Sequence, residues 1–196
     1  MGNAVTIHLI RHGKTQANIE RKYIGHTDEP LVNVEAVNMP LDAKIVYGSD
    51  LLRCKQTANL YFPNANYVAN SNLRELDFGH FEMKTYEDLK NDAEYRAWVT
   101  DPENVTPPDG ESFQHFKKRV FTALTDIICE QGNYTFIIHG GVIRVWLAAF
   151  LHKPFQDVTA KHDTIYTCSW KEFFSWKEGT QCTSISEVPI TVKESL

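Results

Sequence analysis

No run of apolar residues in the 196-residue sequence approaches membrane-spanning length, so no transmembrane helix and no membrane partner are expected. Basic residues are too few for a nucleic-acid surface: 20 Lys and Arg stand against 25 Asp and Glu, a formal net charge of −5. A nucleic-acid-binding domain presents a basic face, so that partner class is set aside. An anionic small substrate remains open, because a few arginines in a cleft focus positive potential locally. Cysteine is sparse as well: Cys54, Cys129, Cys168 and Cys182 are scattered without a CxxC pair. Reduced, mostly buried thiols in a cytoplasmic protein are expected, rather than a disulfide framework. No leader-like segment precedes the first predicted strand. The start MGNAVT fits the N-myristoylation pattern, but Val5 and Thr6 already belong to that strand, and a pattern this short arises by chance. Internal repeats, low-complexity tracts and linkers are all missing.

What is present is an ordinary globular composition, 42% hydrophobic and 23% charged, in a length that suits one domain across 1–196. Val5–Ile10 (VTIHLI), Lys44–Gly48, Asn66–Ala69 and Tyr134–Ile138 read as strands, being short, β-branched or aromatic, and bounded by turn residues. Ser49 and Asp50 are read as caps of a helix running to about Tyr61. Two short helical pieces are expected over 85–100. The PPDGES turn then opens a long amphipathic helix, with Phe113, Phe116, Val120, Leu124, Ile127 and Ile128 at three- and four-residue steps, expected to end near Gly132. Val142–Leu151 is helical. The tail reads as strands at Thr164–Trp170, Phe173–Trp176 and Cys182–Val188. Strands alternating with helices imply an α/β sandwich on a mainly parallel sheet.

In such sheets ligands bind beyond the carboxyl ends of the strands. Strand one ends in Arg11-His12-Gly13, strand two in Gly48-Ser49-Asp50 with Arg53 just inside the next helix, and YTFII in His139-Gly140-Gly141. Two histidines and two arginines therefore converge on one sheet edge by independent routes. Arginine's planar, permanently charged fork suits phosphate oxygens. A helix opening at Gly140-Gly141 offers amides and a positive dipole end to an anion. His12 is then the candidate nucleophile, kept neutral by its cationic neighbours. An acid for the leaving alkoxide must come from NLRELDFGHFE, where Glu75, Asp77 and Glu82 are equal candidates by spacing. His8 and His12 share a strand face at too great a separation to hold one metal ion. The remaining histidines (His26, His80, His115, His152, His162) show no ligand spacing, so no metal and no cofactor are expected.

The stretches LIRHGKTQAN, YGSDLLRCKQTA, LRELDFGHFE, PPDGES and IIHGGVIR, in this order, resemble the histidine phosphatase (phosphoglycerate mutase-like) superfamily from residue 9 to about 144. The resemblance implies a three-layer αβα sandwich and a metal-independent phosphomonoesterase with a phosphohistidine on His12 and His139 as its partner. It also implies Arg11, Arg53 and Asn18 as phosphate ligands, with Gly25 and Gly140 lining the substrate site. It selects Glu75 as general acid and then base, and makes 76–110 a lid-like insertion. TQANIERKYIGHTDEPL and FEMKTYEDLKNDAEYRAW look most like the alpha-ribazole phosphatases of the late cobalamin pathway, whose substrate is a small phosphate ester.

Four departures from the family pattern stand out. Lys14 replaces a frequent Glu, Ile24 a commonly polar contact and Met83 a frequent Gly, while the crossover LVNVEAVNMPLDA is short. They bear on substrate and stability rather than on reaction type. Between Phe78 and Pro108 the cations are only Lys84, Lys90 and Arg96, beside Phe78, Phe81, Tyr86, Tyr95 and Trp98. An aromatic, weakly basic lid favours a flat or apolar leaving group over phosphoglycerate, with one or two of these rings expected to touch substrate. Mutase activity, broad-specificity phosphatase activity and a non-catalytic phospho-ligand module are the alternatives. The module is disfavoured because every expected chemical part is present. Nothing in the pattern specifies an oligomeric state.

Overall fold

The computed structural model describes residues 4–32, 35 and 37–192. In chain order the strands are β1 Val5–Arg11, β2 Val37–Asn38, β3 Ile45–Gly48, β4 Asn66–Ala69, β5 Gly132–Ile138, β6 Thr164–Trp170, β7 Ser184–Pro189 and β8 Thr191–Val192. The helices are α1 Gln16–Ile19, α2 Leu52–Tyr61, α3 Tyr86–Leu89, α4 Ala93–Thr100, α5 Phe113–Ile127, α6 Gly140–Leu151 and α7 Phe173–Lys177. Six strands form one sheet in the order β4-β3-β5-β1-β6-β7. The four from β4 to β1 run parallel, while β6 runs antiparallel to β1 and β7 antiparallel to β6.

Alternation along the central strands explains the layering. Ile7 and Leu9 of β1 face one way with Phe136 and Ile138 of β5, packing on Val120, Leu124, Val142 and Trp146 of α5 and α6. Ile10 and Ile137 face the other way, against Cys54, Ala58 and Tyr61 of α2. A strand apolar on both faces is what a sheet covered on both sides demands. The result is the expected αβα sandwich. Ser112 caps α5, its Oγ accepting from the His115 amide (3.2 Å).

Some boundaries differ from the sequence reading. Leu51, not Ser49 or Asp50, is the N-cap of α2, and Ser49 Oγ instead accepts from the Leu51 amide (3.2 Å). Helix α5 stops at Ile127, and Gly132, at φ 152°, opens β5. Phe173–Trp176 is helical: its stacked Phe173–Trp176 pair sits three residues apart on one helix face, a spacing the aromatic density masked. Met83 adopts φ 60°, a left-handed value that glycine favours, in line with the glycine that the resemblance leads one to expect there. Residues 1–3 of the myristoylation-like start, and 33, 34 and 36 of the short crossover, lie outside the described residues.

Candidate functional site

Three parallel neighbours, β3, β5 and β1, end at the same sheet edge, which is why residues far apart in sequence meet. The His12 amide donates to Ile138 O (2.9 Å), tying the end of β1 to the end of β5. The Gly13 amide donates to Thr57 Oγ1 (2.9 Å), which itself donates to Arg53 O (2.7 Å), tying the same loop to α2. His12 and His139 lie with ring centroids 5.1 Å apart. His12 is 2% exposed, and Arg53 and His139 are fully buried.

His12 Nδ1–H donates to Gly13 O at 2.7 Å. A carbonyl can only accept, so this contact puts the proton on Nδ1 and leaves Nε2 with its lone pair. The ring's pKa is driven well below the ordinary histidine value, first by burial and then by the Arg53 and Arg11 charges. Sequence reasoning assigned this to the arginines alone, whereas burial is the larger cause. His139 is held down in the same way.

Arg53 donates from Nη1 to Thr27 O (2.8 Å), from Nη2 to Gly25 O (2.7 Å) and from Nε to His139 Nδ1 (3.3 Å). His139 Nε2 faces Cys54 Sγ at 3.6 Å, so both its ring nitrogens meet protein groups. Arg11 donates to Ala160 O (2.9 Å) and leaves its buried Nε unpartnered. Its guanidinium lies against Gly140, where a Cβ would come within 3.1 Å of Cζ. Gly140 thus gives the cation room.

The three acid candidates separate in the structure. Glu82 accepts from the Gly25, His26, Thr27 and Phe78 amides and from Thr27 Oγ1, so it is spent on the 25–27 loop. Asp77 caps Gly79 and faces His26 at 3.5 Å. Glu75 accepts from the Gly141 amide (2.7 Å) and the Leu76 amide (3.0 Å), and it lines the cavity beside Arg11. One amide of the helix N-terminus expected to meet an anion is therefore already engaged by Glu75.

Gly25 and Asn18 sit differently from the other site residues. Both polar backbone atoms of Gly25 are engaged, N–H by Glu82 and O by Arg53. A Cβ there would drive into Leu76 O and Glu82 Oε1. Gly25→Ala is expected to cost about 1–3 kcal/mol in a denaturant melt, as overpacking against backbone does. A melt within about 0.5 kcal/mol of the parent would contradict this close approach. Asn18 Oδ1 accepts from the Thr15 amide in the capping box of α1, and no contact brings it to His12.

Sequence reasoning set His162 aside among the histidines without ligand spacing, as a surface or core residue. It arrives just before β6 and donates from Nδ1 to His12 O (3.0 Å), with its ring 5.8 Å from that of His12. Burial, then Arg11, pushes its pKa down to about 4. No spacing rule could find it, since β6 joins β1 only through antiparallel pairing.

A cavity of about 940 Å³ opens from Arg11, Glu75, Gly140 and Gly141. Tyr23, Phe78, Trp98, Phe113 and Phe155 form its apolar walls. Of the lid rings, Phe78 and Trp98 face this cavity, Phe81 and Tyr95 are core, and Tyr86 is exposed. Among the described residues no group of three or more His, Cys, Asp or Glu side chains could hold a metal ion, and no helix is long and apolar enough to cross a membrane.

The family profile of the histidine phosphatase superfamily (branch 1) matches residues 7–187. An adenosylcobalamin/alpha-ribazole phosphatase of Salmonella typhimurium is 34% identical over 162 residues, 74% of this chain and 79% of that protein. A protein of Enterobacter sp. named "Probable phosphoglycerate mutase GpmB" is 32% identical over 149 residues, 69% of each chain. The crystal structure of the alpha-ribazole phosphatase of Shigella flexneri superposes with a TM-score of 0.75 at 25% identity, covering 96% of this chain and 94% of that one.

Proposed function

Because the chain belongs to the histidine phosphatase superfamily and is a phosphatase, we propose that it hydrolyses a phosphomonoester through a phosphohistidine on His12. The observation that carries this reading is the Nδ1–H contact to Gly13 O, which leaves the Nε2 lone pair free on a buried, neutral ring 5.1 Å from that of His139 and under the charges of Arg53 and Arg11. Nε2 attacks phosphorus as the P–O bond to the leaving alcohol breaks, and Glu75 delivers its proton to the departing alkoxide. Glu75, now a carboxylate, takes a proton from water as the oxygen attacks phosphohistidine, releasing phosphate and restoring Nε2. Arg11 and Arg53 neutralise the equatorial oxygens, the main demand of phosphoryl transfer. The whole chain acts as one histidine-phosphatase domain, with 76–110 as a lid over the leaving group.

The substrate of this reading is alpha-ribazole 5′-phosphate, a step of cobalamin biosynthesis. It is supported by the relatives named for that activity and by a cavity whose walls suit a flat heterocycle. Its kcat/KM is expected to exceed those for 3-phosphoglycerate and ribose 5-phosphate by about tenfold or more, measured as phosphate release on all three. Equal or reversed preference would remove this substrate. A mutase reading draws on the 32% identical relative; it requires transfer from phospho-His12 to glycerate phosphates to outpace hydrolysis in the same assay.

A further inference from the structure

Helix α6, GGVIRVWLAAFL, carries a single charged residue, Arg144. It lies four residues after Gly140, hence on the same helix face, and both line the 940 Å³ cavity. Its guanidinium lies over the Phe155 ring with Cζ 3.9 Å from the centroid. Nε–H donates to Val158 O (2.8 Å) and Nη2–H to Phe155 O (3.2 Å). These two backbone acceptors fix the plane of the fork and leave Nη1 without a hydrogen bond, on a residue that lines the cavity. None of the ion pairs among the described residues engages it, although Glu75 is near enough to act on it through space. A half-buried guanidinium with no carboxylate to neutralise it is costly unless a ligand uses it.

We propose that Arg144 is a specificity-determining residue, clamped flat on Phe155 so that its other face stacks on a planar heterocycle carried by the leaving group. The inference rests on the phosphomonoesterase reading above and names the part of that site that meets the far end of the ester. Arginine offers a flat, weakly hydrated π surface where lysine offers a point charge. A ring held between Arg144 and the aromatic lid wall would keep its phosphate over Arg11 while the leaving oxygen faces Glu75.

The test is the ratio of kcat/KM for alpha-ribazole 5′-phosphate to that for ribose 5-phosphate, which share a phosphate and a sugar and differ by the base. Arg144→Met and Arg144→Lys are each expected to lower the ratio about ten- to thirtyfold, mainly through KM of the base-bearing ester. If Arg144→Lys keeps the ratio while Arg144→Met loses it, the site reads charge and not a plane, and the proposal falls. If both keep it, Arg144 only braces residues 155–158, and the proposal falls. Should either variant fail to fold, Phe155→Leu, which leaves both backbone acceptors in place, must lower the ratio, and an unchanged ratio there overturns the idea. A parent protein without preference for the base-bearing ester removes the substrate reading and this inference together. A preference that persists in all variants removes the inference alone.

Discussion

His12→Ala is expected to hydrolyse an aryl phosphate at no more than about a thousandth of the parent rate. No phosphoryl group should remain on the protein after an alkaline quench, which preserves phosphohistidine. The magnitude follows from what remains. Arg11, Arg53 and the amides near Gly140 still bind and neutralise phosphate, but no nucleophile stands in line with the leaving oxygen, and water has no base set for direct attack. Saturable inhibition by inorganic phosphate should therefore survive in the variant, separating loss of chemistry from loss of the anion site. Near-normal turnover in His12→Ala would end the phosphohistidine reading. A melt of the variant within about 2 kcal/mol of the parent keeps the comparison interpretable.

The same electrostatics serve nucleophile and substrate. Burial and two guanidinium groups make imidazolium expensive, so His12 stays neutral well below the usual histidine range, as the proposed nucleophile must. In the proposed reaction those guanidinium groups would also hold the phosphoryl oxygens as charge moves onto them. In the free protein the limb of kcat/KM due to His12 accordingly lies below 6.5, the unperturbed histidine value.

Much of this arrangement was legible in the sequence because it rests on parallel strands. Arg11, His12, Arg53 and His139 follow strand ends, and the rule that ligands bind beyond those ends collects them without knowledge of the fold's details. Glu75 was not separable from Asp77 and Glu82 by spacing, and only the resemblance chose it. The physical difference is tertiary: Glu82 is consumed by the 25–27 loop, while Glu75 reaches the Gly141 amide across 66 residues. His162 and Arg144 were silent for related reasons. One is delivered by an antiparallel strand, the other sits in a helix that otherwise reads as core. The misread Phe173–Trp176 segment shows the limit of composition, since aromatic density suits strand and helix alike when only five residues are available.

Stability is expected to fall steeply on acidification, from pH 6.5, the unfolded histidine value, toward about 4, the folded value of His162. His12, His139 and His162 all have folded-state pKa values below the unfolded value, through burial first and neighbouring arginines next. The unfolded chain therefore binds protons at these three rings that the native protein refuses, and His8, also lowered by burial, adds to the same side. For a depressed pKa this stabilisation is complete above the unfolded value and drains as the pH falls toward the folded one. Each refused proton shifts the folding equilibrium about tenfold per pH unit, so three shift it about a thousandfold per unit. The fall from pH 6.5 to 5 then consumes a large part of the stability of an ordinary domain. Denaturant melts at pH 7, 6 and 5 should show this slope, and His162→Asn should reduce it by about one factor of ten per unit. Saturating phosphate should lessen it as well, because the bound anion lets His12 and His139 accept protons in the folded state. A midpoint that stays flat from pH 7 to 5 would mean that water reaches these rings, and with it the neutral, desolvated His12 on which the chemistry depends would be lost.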